Sequence, residues 1–397
     1  PRAMLTAEAN LKQLSEPNVS GVVRKDYYVD GTSVTADVYI NGQWRTILIG
    51  SAGRGGSHLF ALDVTDPSQF DGSKLLWDRS FSQLGISTSK ALITRLNNGS
   101  WALVTGYGYN SSTGTVGLLV LDLATGQPIV NGLEASSSGD NGLGAAEGWD
   151  YDRNGNTDWF FAGDLQGNLW KFDLSASNPA QWSVAYSGQP LFRARDSLNN
   201  AQPITGGVVL ATEPASGQLW AFFGTGRYLE EQDPQLDSEQ SWYGIMDGEV
   251  LSGRAQLKER TLTNVLHSSG AAARLVSPAS ANDMAGLRGW YMNLPDDRER
   301  IVASPRLIGD ALVVTSIIPD SNLCNPQGDG YVITVDPFSG SRLKIHFFDF
   351  TDDAEFTDAD GVVQGDEVWV LSGLRFDSMP TEPLFFENQM AVGLADT

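Results

Sequence analysis

A repeat of about 50 residues constrains the fold of this chain more than any other feature. Each copy is an apolar stretch that ends in Asp and runs into a turn rich in Thr, Ser, Gly or Pro. The copies are HLFALDVTDP (58–67), GLLVLDLATG (117–126), NLWKFDLSAS (168–177) and YVITVDPFSG (331–340). Strand-like alternation with this period predicts one four-stranded sheet per repeat, arranged radially as a propeller. We therefore predict an all-β, modified β-propeller, with seven blades from the length of 397 residues and six as the fallback.

The Asp that closes each repeat is predicted to form a turn, because its side chain accepts backbone N–H bonds two residues further on. These residues are Asp63, Asp122, Asp173 and Asp336. Hairpin turns are also predicted where Asn-Gly pairs interrupt β-rich flanks. The two pairs are Asn41-Gly42 and Asn98-Gly99.

Three segments are predicted along the chain. Residues 1–25 form an N-terminal linker with one short helix, residues 26–345 form the propeller body, and residues 346–397 complete or flank it. The helix is the stretch MLTAEANLKQLSE (4–16). The period is poorly kept in 230–290 and 345–397, where we expect insertions or irregular blades. Because the chain begins at PRAML without Met, we interpret it as a fragment of a longer protein.

Charge and composition exclude several function classes. The chain has 26 Lys and Arg against 48 Asp and Glu, a net charge of −22, which disfavours binding to nucleic acid and to anionic membranes. No run of about 18 apolar residues is present, so no membrane-spanning segment is predicted. The single cysteine, Cys324, cannot form a disulfide within the chain or a structural zinc site alone. The three histidines are scattered and form no metal-binding motif.

One stretch, WDYDRNGNTDWFFAGDLQGNLWKF (149–172), has the ligand spacing of a calcium loop. Its polar residues alternate around a central glycine: Asp150, Asp152, Asn154, Gly155, Asn156 and Asp158. They match positions 1, 3, 5, 6, 7 and 9 of an EF-hand loop, but Phe161 replaces the bidentate Glu of position 12. We therefore predict a compact nine-residue loop, closed by Asp158 and followed by strands. Its carboxylates and neutral Asn favour Ca²⁺ over Mg²⁺ or a transition metal. The alternative is a solvated Asp/Asn turn.

A second, weaker metal candidate is FTDADGVVQGDE (356–367), which we call the second acidic loop. Asp358, Asp360 and Glu367 stand at EF-hand positions 3, 5 and 12, with Gly361 at position 6. Position 1 is Phe356, so one ligand is missing and a plain acidic turn is the alternative.

Several stretches together resemble the C-terminal propeller domain of the PilY family, called PilC in some bacteria, whose members are tip-associated factors of type IV pili. The most specific is the nine-residue calcium loop (150–158) together with AGDLQGNLW (162–170), which comes shortly after it. The others are YYVDG (27–31), GQWRTILIGSAGRGGSHLFALDVTDP (42–67), FGTGRYL (223–229), QSWYGIMDG (240–248), GWYMNLP (289–295) and ERIVASPRLIGDALVVTSIIP (299–319). The resemblance covers nearly the whole chain.

This resemblance implies a propeller of roughly seven blades with Ca²⁺ in the nine-residue loop. The implied ligands are Asp150, Asp152, Asn154, the Asn156 carbonyl and Asp158. It also implies pilus assembly, twitching motility and surface adhesion, with Ca²⁺ occupancy opposing pilus retraction by the retraction ATPase. Minor pilins and the pilus tip are the implied partners, with host or abiotic surfaces as further candidates. The implied location is the cell surface, on the pilus, with outer-membrane association a further expectation. No Arg-Gly-Asp tripeptide is present, so integrin binding is not expected.

Two rival functions remain open from sequence. The Asp-x-x-Thr-Gly turn is similar to that of PQQ-dependent dehydrogenases, propeller enzymes that hold PQQ and Ca²⁺ at their centre. Such a site would need ligands from separate blades, whereas this calcium motif is contiguous, so we predict that the chain is not an enzyme. The other rival is a generic scaffold propeller, against which the calcium motif argues.

Overall fold

Antiparallel β-strands make up nearly all the regular structure. The computed structural model describes residues 27–87, 89–136, 139–322, 328–386 and 389–394. The predicted helix at 4–16 and Cys324 lie outside these residues. The chain divides into two units, which are Pro1–Asp164 with Trp170–Gln189, and Leu165–Leu169 with Pro190–Thr397.

In the described part of the first unit, the strands form three antiparallel sheets. One has four strands in the order β1 to β4: Val34–Ile40, Gln43–Ser51, His58–Asp63 and Leu75–Ser80. A second has the order β5-β6-β8-β9: Leu92–Arg95, Trp101–Gly106, Val116–Asp122 and Leu133–Ser136. The third has the order β13-β12-β11-β10-β7: Ser183–Val184, Asn168–Asp173, Trp159–Asp164, Gly142–Trp149 and Gly108–Tyr109.

Among the described residues of the first unit, the buried apolar side chains form two hydrophobic clusters. Branched and aromatic side chains at alternate strand positions build them, as in β1, where Val34, Val38 and Ile40 are buried. The second cluster contains Phe160 of β11, the strand that directly follows the predicted calcium loop, and Phe172 of β12, the next strand. The strands around the loop are therefore anchored in a packed core.

The second unit contains two larger sheets and two isolated hairpins. The order of the first sheet is β15-β16-β17-β21-β18: Val209–Thr212, Leu219–Gly224, Ser241–Met246, Gly289–Asn293 and Lys258–Glu259. The order of the other is β19-β20-β27-β24-β23-β22: Leu262–Leu266, Ala272–Val276, Gly373–Phe376, Gly328–Val335, Ala311–Pro319 and Arg306–Ile308. The hairpins are β25-β26 and β28-β29: Val362–Gln364 with Glu367–Trp369, and Leu384–Phe386 with Gln389–Ala391. A short strand β14, Phe192–Arg193, pairs with Asn168 and Leu169, the two residues of β12 that belong to the second unit.

A buried ion pair lies in the second unit. The guanidinium of Arg274 donates to both carboxylate oxygens of Glu299, at 3.1 and 2.9 Å, and also to Asp296 at 2.7 Å. The guanidinium carbon lies 3.7 Å from the centre of the Tyr331 ring. Because Arg274 and Glu299 are almost fully buried, removing Arg274 would leave the Glu299 charge unpaired, and removing Glu299 would leave Arg274 with only the more exposed Asp296.

The turn-forming role predicted for the repeat aspartates is confirmed. In each case one carboxylate oxygen accepts a backbone N–H two or three residues further on, at 2.9 to 3.1 Å. The four are Asp63, Asp122, Asp173 and Asp336. The Asn41-Gly42 hairpin is also confirmed, since both residues have positive φ between β1 and β2.

The hairpin predicted at Asn98-Gly99 is confirmed, because β5 and β6 pair antiparallel on either side of it. Its turn is longer than the two residues of the Asn41-Gly42 turn, and only Gly99 of the pair has a positive φ. Leu96 donates to the Ser100 carbonyl at 2.9 Å, and the Asn98 side chain accepts the Ser100 N–H at 3.1 Å. Asn97, the residue before this pair, donates its side-chain amide to Asp158 of the calcium-loop stretch at 2.7 Å.

Blade number and segment bounds stay predictions. Within the residues that the structure describes, the strands form five sheets of four or more strands, so neither seven nor six blades is confirmed. Short 3₁₀ helices connect the strands: Gly53–Gly55, Pro67–Gln69, Gly72–Lys74, Pro179–Gln181, Asp233–Gln235, Arg254–Gln256 and Asp358–Asp360. Among the described residues no helix has the length and apolar character needed to cross a bilayer.

Candidate metal centre

Within the calcium-loop stretch, residues 150–158 form a nine-residue connection between two strands of a hairpin. We call these nine residues the metal loop. It joins β10 to β11, whose end residues Trp149 and Trp159 pair across the hairpin. The Asp158 N–H donates to the Trp149 carbonyl at 2.9 Å and closes the loop. Gly155 has φ +85° with no atom near its missing Cβ, so glycine provides the sharp turn that the EF-hand comparison predicts.

Three carboxylates of the metal loop converge on one point. Each of Asp150, Asp152 and Asp158 offers an oxygen, and these oxygens all lie within 4.8 Å of one another. Among the described residues no other group of three His, Cys, Asp or Glu side chains meets this spacing. Two like charges at about 5 Å repel by about 1 kcal/mol even in water. A cation at the centre would convert this repulsion into attraction.

Backbone donors hold the carboxylates in place. Asp150 accepts the N–H of Asn154 at 3.1 Å and that of Gly155 at 2.8 Å. Asp152 accepts the Asn154 N–H at 3.1 Å and the Asn154 amide at 2.9 Å. The Asn154 side-chain oxygen in turn accepts the Asn156 N–H at 2.8 Å. These bonds curl the loop and fix the orientation of its side-chain oxygens.

Asp158 is the buried member of the set, with 4% of its surface exposed. One oxygen accepts the Tyr151 N–H at 2.7 Å, and the other accepts the side-chain amide of Asn97 at 2.7 Å. Asn97 is a positioning residue that the sequence did not reveal. The available signal was its place just before the Asn98-Gly99 turn, but sequence alone does not show which hairpins are neighbours. A second anchor is Thr157, whose N–H donates to the Arg95 carbonyl at 2.8 Å.

The donor set fits a hard divalent cation. It consists of three carboxylates, the Asn154 amide oxygen and Asn156, and it contains no nitrogen or sulfur ligand. The buried side-chain oxygen of Asn156 has no hydrogen-bond partner, which leaves a further oxygen available beside the predicted backbone carbonyl. Calcium takes six to eight oxygens in flexible geometry, so it suits this set better than Mg²⁺ or a transition metal. The ligand assignment to Asp150, Asp152, Asn154, Asn156 and Asp158 stays a prediction.

The second acidic loop is arranged differently. Asp360 is fully buried and accepts the N–H groups of Phe350 and Thr357 at 2.7 and 2.9 Å. Burial alone would raise the pKa of Asp360, but these backbone hydrogen bonds outweigh it and lower the pKa. Asp358 is exposed and lies 3.6 Å from His346, while Glu367 accepts the indole N–H of Trp369 at 3.3 Å.

These three side chains therefore do not converge as those of the metal loop do. Asp360 acts as a capping residue for a turn. Metal binding by Asp358, Asp360 and Glu367 stays a prediction that this geometry disfavours.

A solved structure shares the fold over almost the whole chain. The crystal structure of the Pseudomonas aeruginosa PilY1 C-terminal domain matches with a TM-score of 0.77 and 30% sequence identity, covering 93% of this chain and 83% of that one. A quinohemoprotein alcohol dehydrogenase from Pseudomonas putida matches with a TM-score of only 0.35 at 8% identity, a likeness too weak to support an inference. Fold and site together define an all-β propeller domain that carries a candidate calcium loop.

Sequence comparison identifies the family. The family model of the PilY1 beta-propeller domain matches residues 6–269. A type IV pilus biogenesis factor PilY1 homolog of Xylella fastidiosa is 38% identical over 93% of this chain and 30% of its own length. The type IV pilus biogenesis factor PilY1 of Pseudomonas aeruginosa is 34% identical over 89% of this chain and 34% of its own length. The chain belongs to the PilY1 β-propeller domain family, and it spans about a third of the length of these curated relatives.

Proposed function

We propose that this chain is the calcium-binding propeller domain of a type IV pilus biogenesis factor, and that Ca²⁺ in the metal loop regulates pilus extension against retraction. The observation that carries the proposal is the convergence of Asp150, Asp152 and Asp158 within 4.8 Å on a loop anchored by two core strands. The family supports the pilus context, because its named members are type IV pilus biogenesis factors.

The residues of the loop suggest how an ion would act. Bound Ca²⁺ would supply positive charge at the centre of the carboxylates and hold the loop closed. Asp158 connects that centre to the Asn97 turn, and the next residue, Trp159, begins β11. Ion binding would therefore stiffen a surface loop without rearranging the core. We expect the calcium state to change what the loop presents to a partner.

The proposed role is binding and assembly rather than catalysis. Minor pilins and the pilus tip are the proposed partners, with host or abiotic surfaces as attachment targets, at the cell surface and on the pilus. Under this proposal the domain supports pilus assembly, twitching motility and attachment. The rival hypothesis, a PQQ-dependent dehydrogenase, would require ligands from separate blades, whereas the candidate ligands here all come from one hairpin.

The test replaces the chromosomal copy, in the bacterium that encodes this protein, with an Asp158→Asn variant of the full-length factor. Surface pili and twitching are then measured with calcium present and after its chelation. We expect the variant to show the calcium-depleted phenotype in both conditions. The matched control is Asp66→Asn, which removes one exposed carboxylate from a turn of the same unit. Normal piliation and twitching in the Asp158→Asn strain would reject the regulatory role.

A further inference from the structure

Asn154 and Gly155 form an Asn-Gly pair in the exposed part of the metal loop. In such a pair the backbone nitrogen of the glycine can attack the side-chain amide carbon of the asparagine, because glycine has no Cβ to shield that nitrogen. Apart from its chain neighbours, no atom lies within 4 Å of the place that a Cβ of Gly155 would occupy. The pair therefore combines the sequence and the access to water that deamidation requires.

Two hydrogen bonds arrange the pair for this reaction. The Asn154 side-chain oxygen accepts the Asn156 N–H at 2.8 Å, a bond that spans the Gly155 peptide group. It folds the amide carbon back toward the Gly155 nitrogen and stabilises the negative charge that develops on the amide oxygen during attack. The Gly155 N–H itself donates to the Asp150 carboxylate at 2.8 Å. Asp150 is therefore placed to accept the proton that the attacking nitrogen must lose.

A second Asn-Gly pair shows what the carboxylate adds. The Asn98 side-chain oxygen accepts the Ser100 N–H at 3.1 Å, so this amide is folded over its glycine as that of Asn154 is. The Gly99 N–H, however, donates to the Leu96 carbonyl at 2.9 Å, and a neutral carbonyl is a far weaker base than a carboxylate. Asn98 therefore has the turn without the base.

A third pair is closed to the reaction. Asn141 is 2% exposed, and its side-chain oxygen accepts the N–H of its own glycine, Gly142, at 2.9 Å. Its amide nitrogen donates to the buried Asp164 at 3.0 Å. Burial excludes the water that the reaction needs, so Asn141 should stay intact. The three pairs share the same two residue types and differ only in their surroundings.

The reacting groups of the metal loop are also predicted calcium ligands. Asp150 and the Asn154 amide oxygen stand at positions 1 and 5 of the loop. A bound ion would engage the Asp150 carboxylate and hold the Asn154 oxygen toward the centre of the loop. Both the base and the amide would then be withdrawn from the Gly155 nitrogen, so calcium should slow the attack.

We propose that Asn154 is a self-modification site, where deamidation proceeds in the calcium-free loop and is slowed by calcium. The Gly155 nitrogen forms a bond to the Asn154 amide carbon and gives its proton to Asp150. The bond from that carbon to the amide nitrogen breaks, and the nitrogen takes the proton and leaves as ammonia. Water then opens the cyclic imide at either carbonyl, which gives aspartate or isoaspartate.

The isoaspartate product changes the length of the loop. Its backbone runs through the side-chain carbon, which adds a methylene before Gly155 and displaces Asn156 and Asp158 relative to Asp150. A loop kept without calcium would therefore lose its ion site irreversibly, whereas an occupied loop is preserved. The calcium dependence rests on the proposed function, but the reaction in the calcium-free loop does not.

The experiment is incubation of the purified chain in heavy-oxygen water at neutral pH, with chelator, with saturating calcium, or with chelator and denaturing urea. Pepsin digestion in acid then stops the reaction, and mass spectrometry with electron-transfer fragmentation measures aspartate and isoaspartate at each Asn-Gly pair. In chelator we expect Asn154 to react about tenfold faster than Asn98, and Asn141 to stay intact. In urea the three pairs should react at similar rates, because only the folded structure distinguishes them.

Calcium should slow the reaction of Asn154 by about tenfold when its concentration is about ten times its dissociation constant. The exposed Asn41-Gly42 pair, in another hairpin of the same unit, is the internal control and should not respond to calcium. The isoaspartate form of the protein, separated by ion exchange, should bind calcium at least about tenfold more weakly in calorimetry.

Asp150→Asn tests the carboxylate directly. The new side chain can still accept the Gly155 N–H but is not a base, so deamidation of Asn154 in chelator should slow by about tenfold. Asp66→Asn, which removes an exposed carboxylate from a distant turn, is the control and should leave the rate unchanged.

Two results would overturn the modification site: an unchanged rate in Asp150→Asn, or a folded protein in which Asn154 reacts no faster than Asn98. Calcium binding in calorimetry without slowing of the reaction would overturn the calcium dependence alone. Fast reaction in a protein that binds no calcium would support the modification site and reject the proposed function, so the two can fail separately.

Discussion

Asp158→Asn is the sharpest perturbation of the metal loop, because it removes one of three carboxylates with little change of shape. The side-chain oxygen of the substituted residue can still accept the Tyr151 N–H, which lies 2.7 Å from the Asp158 carboxylate. The new amide can donate to Asn97 once the Asn97 side chain turns its oxygen inward. Alanine would instead leave the Tyr151 and Asn97 donors unsatisfied, at about 1 to 3 kcal/mol each.

The expected changes in calcium affinity and in stability follow from the charge and the hydrogen bonds of Asp158. Loops of this type vary in calcium affinity over several orders of magnitude with ligand charge, so we expect a loss of about 100-fold. At saturating calcium, a 100-fold loss removes about 2.7 kcal/mol of stabilisation. Without calcium, relief of carboxylate repulsion offsets the weaker hydrogen bonds of a neutral amide. The calcium-free stability should therefore change by only about 1 kcal/mol.

The assay is thermal unfolding of both proteins in excess chelator and in about 1 mM calcium. Calcium should raise the unfolding temperature of the wild type and of Asp66→Asn, but have little effect on Asp158→Asn. An equal calcium-induced rise in the Asp158→Asn protein would refute the ligand role. A large loss of stability in chelator alone would show that the carboxylate is needed for folding rather than for the ion.

Three further changes test other parts of the structure. Asn97→Ala removes an amide donor from the metal loop and should weaken calcium binding by about tenfold in calorimetry; unchanged affinity would make Asn97 irrelevant to the site. Glu299→Ala leaves Arg274 buried without its bidentate partner and should cost about 3 to 5 kcal/mol in denaturant unfolding, and a cost below about 1 kcal/mol would contradict this. The Arg260 hydrogen bond lowers the pKa of Asp283 to about 2, so its stabilisation is present above pH 4 and is lost as pH falls toward 2. Asp283→Asn should therefore destabilise the protein by about 1 to 2 kcal/mol at neutral pH, with the difference vanishing near pH 2 in a pH series of unfolding curves.

Features encoded by neighbouring residues were predictable from the sequence. Asp63 and Asp336 close their turns through hydrogen bonds to residues two or three positions on, so the ten-residue pattern contains the whole interaction. The metal loop is also locally encoded, because the N–H groups that donate to Asp150 belong to Asn154 and Gly155, four and five positions further on. Glycine at 155 follows from the same local geometry.

Features that depend on distant residues were not predictable. Asn97 reaches Asp158 across 61 positions, and only the arrangement of hairpins brings them together. Strand β27 inserts between β20 and β24, an order that no local period indicates. The left-handed backbone of Tyr186 also runs against its intrinsic preference, so its conformation comes from tertiary packing. The sequence thus predicted the local geometry of the metal loop, whereas the residue that supports the loop from another hairpin required the structure.

The most direct test of calcium binding in the metal loop is a crystal structure of this chain. The crystals are grown with Ca²⁺, and the diffraction is measured at a wavelength that gives an anomalous signal from calcium. We expect one anomalous peak inside the metal loop, at about 2.3 to 2.6 Å from oxygens of Asp150, Asp152, Asn154, Asn156 and Asp158. A loop without a peak at saturating calcium, or a peak found only at the second acidic loop, would contradict it.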